Sequence, residues 1–209
     1  MTTNFDTRAQ EWDNDPMKVE RAVRIAQEIM DFIQPNHTFD AFEFGCGTGL
    51  LSFQLKDAFN TITLVDSSEG MIHVLKEKIA KAGIQNFKPL HLDVFEHDLK
   101  LDKQDVIYTL MTLHHMVDLN QILKLFYSIL KPGGYLCIAD LVTEDGSFHA
   151  HQGDFDGHKG FDRKELGVVL SNNGFRVEYD HLSYEIEKKV GDALKKYPLF
   201  LMIGRKEDH

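Results

Sequence analysis

Apolar residues recur at helical spacing from Met17 to Ile33, at Met17, Val19, Ala22, Ile25, Ala26, Ile29 and Ile33, and predict an amphipathic helix that Pro35 ends. Beyond it the pattern alternates. Strand-like FDAFEF is followed by a helix over about 48–57, strand TITLVD by a helix over 69–82, and strand FKPLHLD by the apolar run DVIYTLMTL. A helix over about 118–130 and the strand GYLCIADL complete this part, with Lys131-Pro132-Gly133-Gly134 as the turn between them. Strands separated by helices call for parallel pairing with right-handed crossovers, and apolar strands such as VIYTL suit a sheet covered on both faces.

The tail changes pattern. Asp162 is placed to cap a helix that has Glu165 as its third residue. FRVEYDHLSYEIE and PLFLMIGRK then read as two strands, with a short helix or loop between them, forming an antiparallel pair at one edge. The predicted fold is α/β: a Rossmann-like, doubly wound, seven-stranded sheet, mostly parallel with an antiparallel edge hairpin. One domain accounts for the chain, with an N-terminal lid and helix over 1–36, a core over 37–141, and a loop, helix and hairpin over 142–209.

Composition narrows the class. At 209 residues, 43% hydrophobic and 27% charged, the chain is an ordinary globular domain. A formal charge of -10 without a basic cluster disfavours nucleic acid and anionic membranes as partners. No apolar run approaches the roughly 18 residues that span a bilayer, and MTTNFDTRAQEW lacks the features of a signal peptide, so a cytoplasmic location is expected. Cys46 and Cys137 form no C-x-x-C and sit in segments that look buried, which makes them structural thiols.

The chemistry begins at EFGCGTG, directly after the first sheet strand. In an open α/β sheet, ligands bind at the carboxyl ends of the strands, and glycine there lets a ligand touch the main chain. A dinucleotide site wants G-x-G-x-x-G, but Leu50 stands where the third glycine belongs. The glycines instead run G-x-G-x-G behind Glu43, an acid suited to a cationic ligand. Glu43-x-Gly45-Cys46-Gly47-x-Gly49 resembles the first motif of class I S-adenosylmethionine-dependent methyltransferases of the small-molecule type.

Further segments carry the same resemblance in the same order. Asp66 ends the second strand, where the resemblance makes it the ribose-binding acid; Ser67 and Ser68 follow, and Met71 sits where the family packs an apolar side chain on the adenine. HLDVF implies Asp93 for the adenine amino group and the main chain of Val94 for a ring nitrogen. TLMTLHHMVD matches the fourth-strand region, with Thr109 in the cofactor wall, LKPGGYL is similar to the fifth-strand signature, and FDTRAQEWDNDP to the lid. The resemblance implies S-adenosyl-L-methionine as cofactor and a small-molecule acceptor methylated at oxygen, nitrogen or carbon. A non-catalytic binding protein and a protein methyltransferase are the competing readings.

Methyl transfer from a sulfonium is a direct displacement, so the protein must place the acceptor and remove its proton, a task suited to histidine. His114 and His115, after the fourth strand, are the catalytic candidates. The loop ADLVTEDGSFHAHQGDFDGHKGFD holds His149, His151 and His158 with Asp154 and Asp156, donors that suit hydrogen bonding in a polar loop or a divalent metal. Neither an H-E-x-x-H helix nor paired cysteine ligands are present, so no metal ligand is assigned. Asp140 is expected to face the pocket, and Trp12 and Phe5 to pack the lid.

Overall fold

The structure, a computed structural model, describes residues 4–94, 101–150 and 155–207. Seven strands form one sheet in the order β3-β2-β1-β4-β5-β7-β6. They are β1 (Asp40–Phe44), β2 (Thr61–Asp66), β3 (Phe87–His91), β4 (Gln104–Leu110), β5 (Leu130–Leu141), β6 (Phe175–Val190) and β7 (Ala193–Lys206). The pairings β1–β2, β1–β4 and β2–β3 are parallel, while β7 runs antiparallel to both β5 and β6. This is the predicted mixed sheet, and β1 and β4 flank the point where the strand order reverses.

The chain divides into two compact units, Met1–Tyr108 and Thr109–His209. In the first, a short helix α1 (Asn4–Arg8) and a 3-10 turn (Ala9–Asn14) lead into α2 (Pro16–Ile33). Asp15 caps α2 by accepting from the Met17 amide at 3.0 Å, Pro16 occupies the first turn, and Gln34 ends the helix in the left-handed region ahead of Pro35. Its buried face, Ala22, Ile25, Ala26, Ile29 and Ile33, is the stripe the periodicity predicts. Helices α3 (Leu50–Leu55) and α4 (Glu69–Ala82) follow β1 and β2, and α4 has the predicted limits because Ser68 caps its start and left-handed Gly83 its end. Strands β1 and β2 bury Phe42, Ile62, Leu64 and Val65 between these helices.

In the second unit, α5 (Leu119–Ile129) starts at Asp118, whose side chain accepts from the Gln121 amide, and α6 (Arg163–Asn172) starts at Asp162, which accepts from the amides of Lys164 and Glu165. The Asp162 cap is as predicted. Strand β5 begins at Leu130, at the expected end of the helix, and runs through the segment expected as a turn, although its pairing with β7 runs from Tyr135, close to the predicted GYLCIADL. The tail needs correction: most of the segment expected as a short helix or loop between the last two strands is itself strand. β6 reaches Val190 and β7 resumes at Ala193, joined by Gly191 and Asp192, with Gly191 at φ 60° supplying the tight reversal. Register shifts between Val177 and Tyr179 and between Leu182 and Tyr184 lie inside the predicted strand; the part it misses, Lys188–Val190, is a polar pair followed by one apolar residue and carries no strand pattern.

Candidate functional site: a glycine crook and a histidine cluster

The first unit carries the crook. Gly45, Gly47 and Gly49 all have positive φ, a conformation that a β-carbon would strain. The amides of Gly45 and Cys46 donate to the Val65 carbonyl, which ties the crook to the end of β2. Asp66 completes the fixation: its Oδ2 accepts from the Gly47 amide at 2.7 Å and its Oδ1 from the Ser68 amide at 2.8 Å. Burial pushes the Asp66 carboxyl up, and those two amide bonds work against the rise.

Glu43 lies beneath the crook, 2% exposed, and accepts from the Ser52 hydroxyl, which in turn contacts the Tyr108 hydroxyl at 2.6 Å. Burial, only partly offset by the Ser52 bond, raises its carboxyl from 4.5 to about 8. At neutral pH it is therefore mostly protonated. Ser52, which bonds Glu43, lies outside every motif the sequence offered, whereas Tyr108 falls in the strand expected to form the pocket wall. Cys46 is a buried free thiol whose pKa burial raises, so it is inert as a nucleophile, and Cys137 is buried likewise.

The N-terminal segment folds over this region. Asp6 Oδ1 accepts from the Ser68 hydroxyl at 2.6 Å and from the Gly70 amide at 2.9 Å, and Asp13 accepts from Thr48 and pairs with Lys78. Phe5 and Trp12 stand edge to face at 5.9 Å and pack on Ala9, Met71 and Val74. The Met71 sulfur and the Trp12 indole nitrogen both come within 3.9 Å of where a β-carbon on Gly47 would lie. Met71 thus belongs to the lid cluster as well as to the crook. Ser67 is exposed and its carbonyl is 3.1 Å from His91 Nε2; Asp93 is half-buried and Val94 buried, beyond β3.

The second unit carries the histidines. His114 is 1% exposed and Asp140 fully buried. Asp140 accepts from the His114 amide at 3.1 Å, from His114 Nδ1 at 2.6 Å and from the Leu141 amide at 2.7 Å. Burial alone would raise this carboxyl, but the adjacent His114 ring and these hydrogen bonds outweigh it and hold the pKa below the usual carboxylate value. An ionised acceptor makes Nδ1 the donor, and Nε2 of His114 is buried without a hydrogen-bond partner among the described residues. The sequence placed Asp140 toward a pocket; its signal as a partner was a carboxylate inside the apolar run LCIADL, a place that demands one.

His115 and His149 join His114. Ring centroids lie 4.2 Å apart for His114–His115, 5.0 Å for His114–His149 and 5.5 Å for His115–His149, and Phe155 stacks on His149 at 4.0 Å. Burial and the neighbouring imidazoles lower His115 to about 4 and His149 to about 3, so both rings are neutral at pH 7. The loop bearing Phe155 is clamped down: the His158 amide donates to the His114 carbonyl at 2.7 Å, and a β-carbon on Gly157 would meet that same carbonyl at 2.3 Å. His158 turns its ring toward Phe161 instead of joining the cluster. His151 and Asp154 lie outside the described residues. Thr109 is buried, with its hydroxyl unpartnered among the described residues.

Residues 42–136 match a family model described as a methyltransferase domain. An uncharacterised methyltransferase of Oceanobacillus iheyensis is 27% identical over 87% of this chain and 78% of its own length. Another, from Schizosaccharomyces pombe, is 30% identical over 52% of this chain, which spans 41% of that protein. The fold matches that of a crystallised SAM-dependent methyltransferase from Aquifex aeolicus at TM-score 0.67 and 20% identity, over 94% of this chain and 97% of the other. Residues 42–136 are thus similar to a methyltransferase domain, and the sheet is shared with SAM-dependent methyltransferases. Among the described residues, no helix is long and apolar enough to cross a membrane.

Proposed function

We propose that this chain binds S-adenosyl-L-methionine at the glycine crook and transfers its methyl group to a small-molecule acceptor at oxygen, nitrogen or carbon. The observation that carries the reading is Asp66. Its two oxygens each spend one lone pair on a backbone amide, and each keeps another for a ribose hydroxyl. Gly45, Cys46, Gly47 and Gly49 form the floor for the methionine moiety, with Glu43 ionising when the cationic ligand binds. Ser67 and Met71 flank the nucleoside, and Asp93, the Val94 main chain and Thr109 complete the cofactor wall.

In the reaction, a lone pair on the acceptor forms the bond to the methyl carbon as the carbon–sulfur bond breaks. The bonding electrons stay on sulfur, and S-adenosylhomocysteine leaves as a neutral thioether. The acceptor's proton passes to a histidine, for which His114 and His115 are the candidates. His114 is the better placed chemically, since Asp140 directs its free lone pair to Nε2 and stabilises the imidazolium that forms. The acidic balance of the chain, -10, argues against a nucleic-acid substrate and for a small molecule.

Calorimetry with S-adenosylhomocysteine against NAD tests the cofactor assignment. Binding of the first alone, abolished in Asp66→Ala, is the expected result; binding of NAD, or of neither, overturns it. A metabolite screen read by S-adenosylhomocysteine release then tests the acceptor class, with loss of turnover in His114→Ala expected and undiminished turnover removing its catalytic role.

A further inference from the structure

We propose that His114, His115 and His149 form a site for one divalent transition cation of the zinc, cobalt or nickel class. The potential ligand atoms of these three residues all lie within 4.8 Å of one another. Nitrogens bound to zinc at about 2.0–2.1 Å in a tetrahedron stand roughly 3.4 Å apart, so small side-chain rotations close the set. The proposal does not depend on the methyl-transfer reading, because its ligands and its test concern the imidazoles alone.

Three features separate this cluster from histidines that merely pack. The first is the orphan lone pair on His114 Nε2, buried where leaving a polar atom unsatisfied is costly. The second is Asp140, which binds the other ring nitrogen at 2.6 Å. A carboxylate behind a metal-binding imidazole fixes its tautomer and raises its basicity, and here that support is already in place. The third is orientation: His114 and His115 end one 3-10 turn (Leu113–His115) and His149 another (Ser147–His149), and Phe155 stacks on His149 with 8° between the rings. The donors are thus held by backbone and aromatic packing, not carried on free loops.

Chemistry selects the cation. Three imidazoles without a carboxylate ligand favour borderline metals over magnesium or calcium, which prefer oxygen. Three protein ligands leave a tetrahedral position open, where a bound oxygen or nitrogen would have its pKa lowered. A seated cation takes the Nε2 lone pair of His114, so metal binding and proton acceptance by that atom exclude each other.

The test uses the full chain without an affinity tag, stripped with chelator and titrated with cobalt(II), whose visible spectrum reports tetrahedral coordination. We expect one equivalent to bind with tetrahedral bands. His149→Ala should abolish them, while His37→Ala, an exposed histidine outside the cluster, should leave them unchanged. Asp140→Asn should weaken binding by about 10–100-fold. Because a cluster variant can disturb folding, His149→Cys provides a positive readout: a sulfur-to-cobalt charge-transfer band should appear. No tetrahedral spectrum in the native chain, bands that survive in His149→Ala, or bands lost in His37→Ala would overturn the assignment.

Discussion

Asp66 and Asp140 hold matching stations, one at the last residue of β2 and the other next to last in β5, and each gathers backbone amides around a carboxylate. They use that station differently. Asp66 keeps part of its acceptor capacity and is only half-buried, so its carboxylate is open to a ligand. Asp140 is sealed, spends its oxygens on three donors, and acts on its surroundings only through the far nitrogen of His114. The same device thus produces a direct hydrogen-bond acceptor in one unit and a remotely oriented imidazole in the other. Their pKa directions record the difference: burial raises Asp66, while the His114 ring and three hydrogen bonds lower Asp140 despite its deeper burial.

The comparison breaks most visibly at Asp140. Removing its carboxylate in Asp140→Ala strands three buried donors, and we expect a loss of roughly 3–5 kcal/mol in urea unfolding; a change below about 1 kcal/mol would mean that the seal is not structural. At Asp66 the expected loss appears in binding. Asp66→Ala should cost on the order of 100-fold in S-adenosylhomocysteine affinity by calorimetry, with a smaller effect on unfolding because water can reach the freed amides.

A pH titration sharpens the electrostatic side. The Glu43 carboxyl is raised from 4.5 to about 8, so its contribution to stability is complete below pH 4.5 and is lost as pH rises toward 8. Glu43→Gln should flatten that slope by on the order of 2 kcal/mol between about pH 5 and pH 7, measured by denaturant midpoints. An unchanged slope would place the proton elsewhere. The smallest effect belongs to the lid. Lys78→Met removes a partly exposed ion pair with Asp13 and a hydrogen bond to the Thr48 carbonyl, and should cost about 0.5–1 kcal/mol in thermal or urea unfolding.

Local signals were legible wherever one residue enforces one local outcome. Ser68 and Gly83 bracket α4, Asp162 caps α6, and the glycine run after β1 announces its own left-handed backbone. The long hairpin was less legible because its tip carries lysine pairs at 188–189 and 195–196 around a two-residue turn, which hides the end of β6 and the start of β7. The site divides the same way. The acids near the crook follow strands at readable intervals, whereas His149 reaches His114 only because the loop before α6 folds back on the end of β5, held by the amides of Thr143, Glu144 and Phe161. No spacing rule encodes that return. Gly157 was its one local trace, a residue whose missing β-carbon lets the loop press on the His114 carbonyl.

The two slips in the register of β6 also matter at the margin of the sheet. An outermost strand of 16 residues would ordinarily invite another molecule to zip onto its unpaired edge, but each irregularity interrupts the ladder that such a newcomer must match. The length that braces β7 is thereby kept from becoming a template for aggregation.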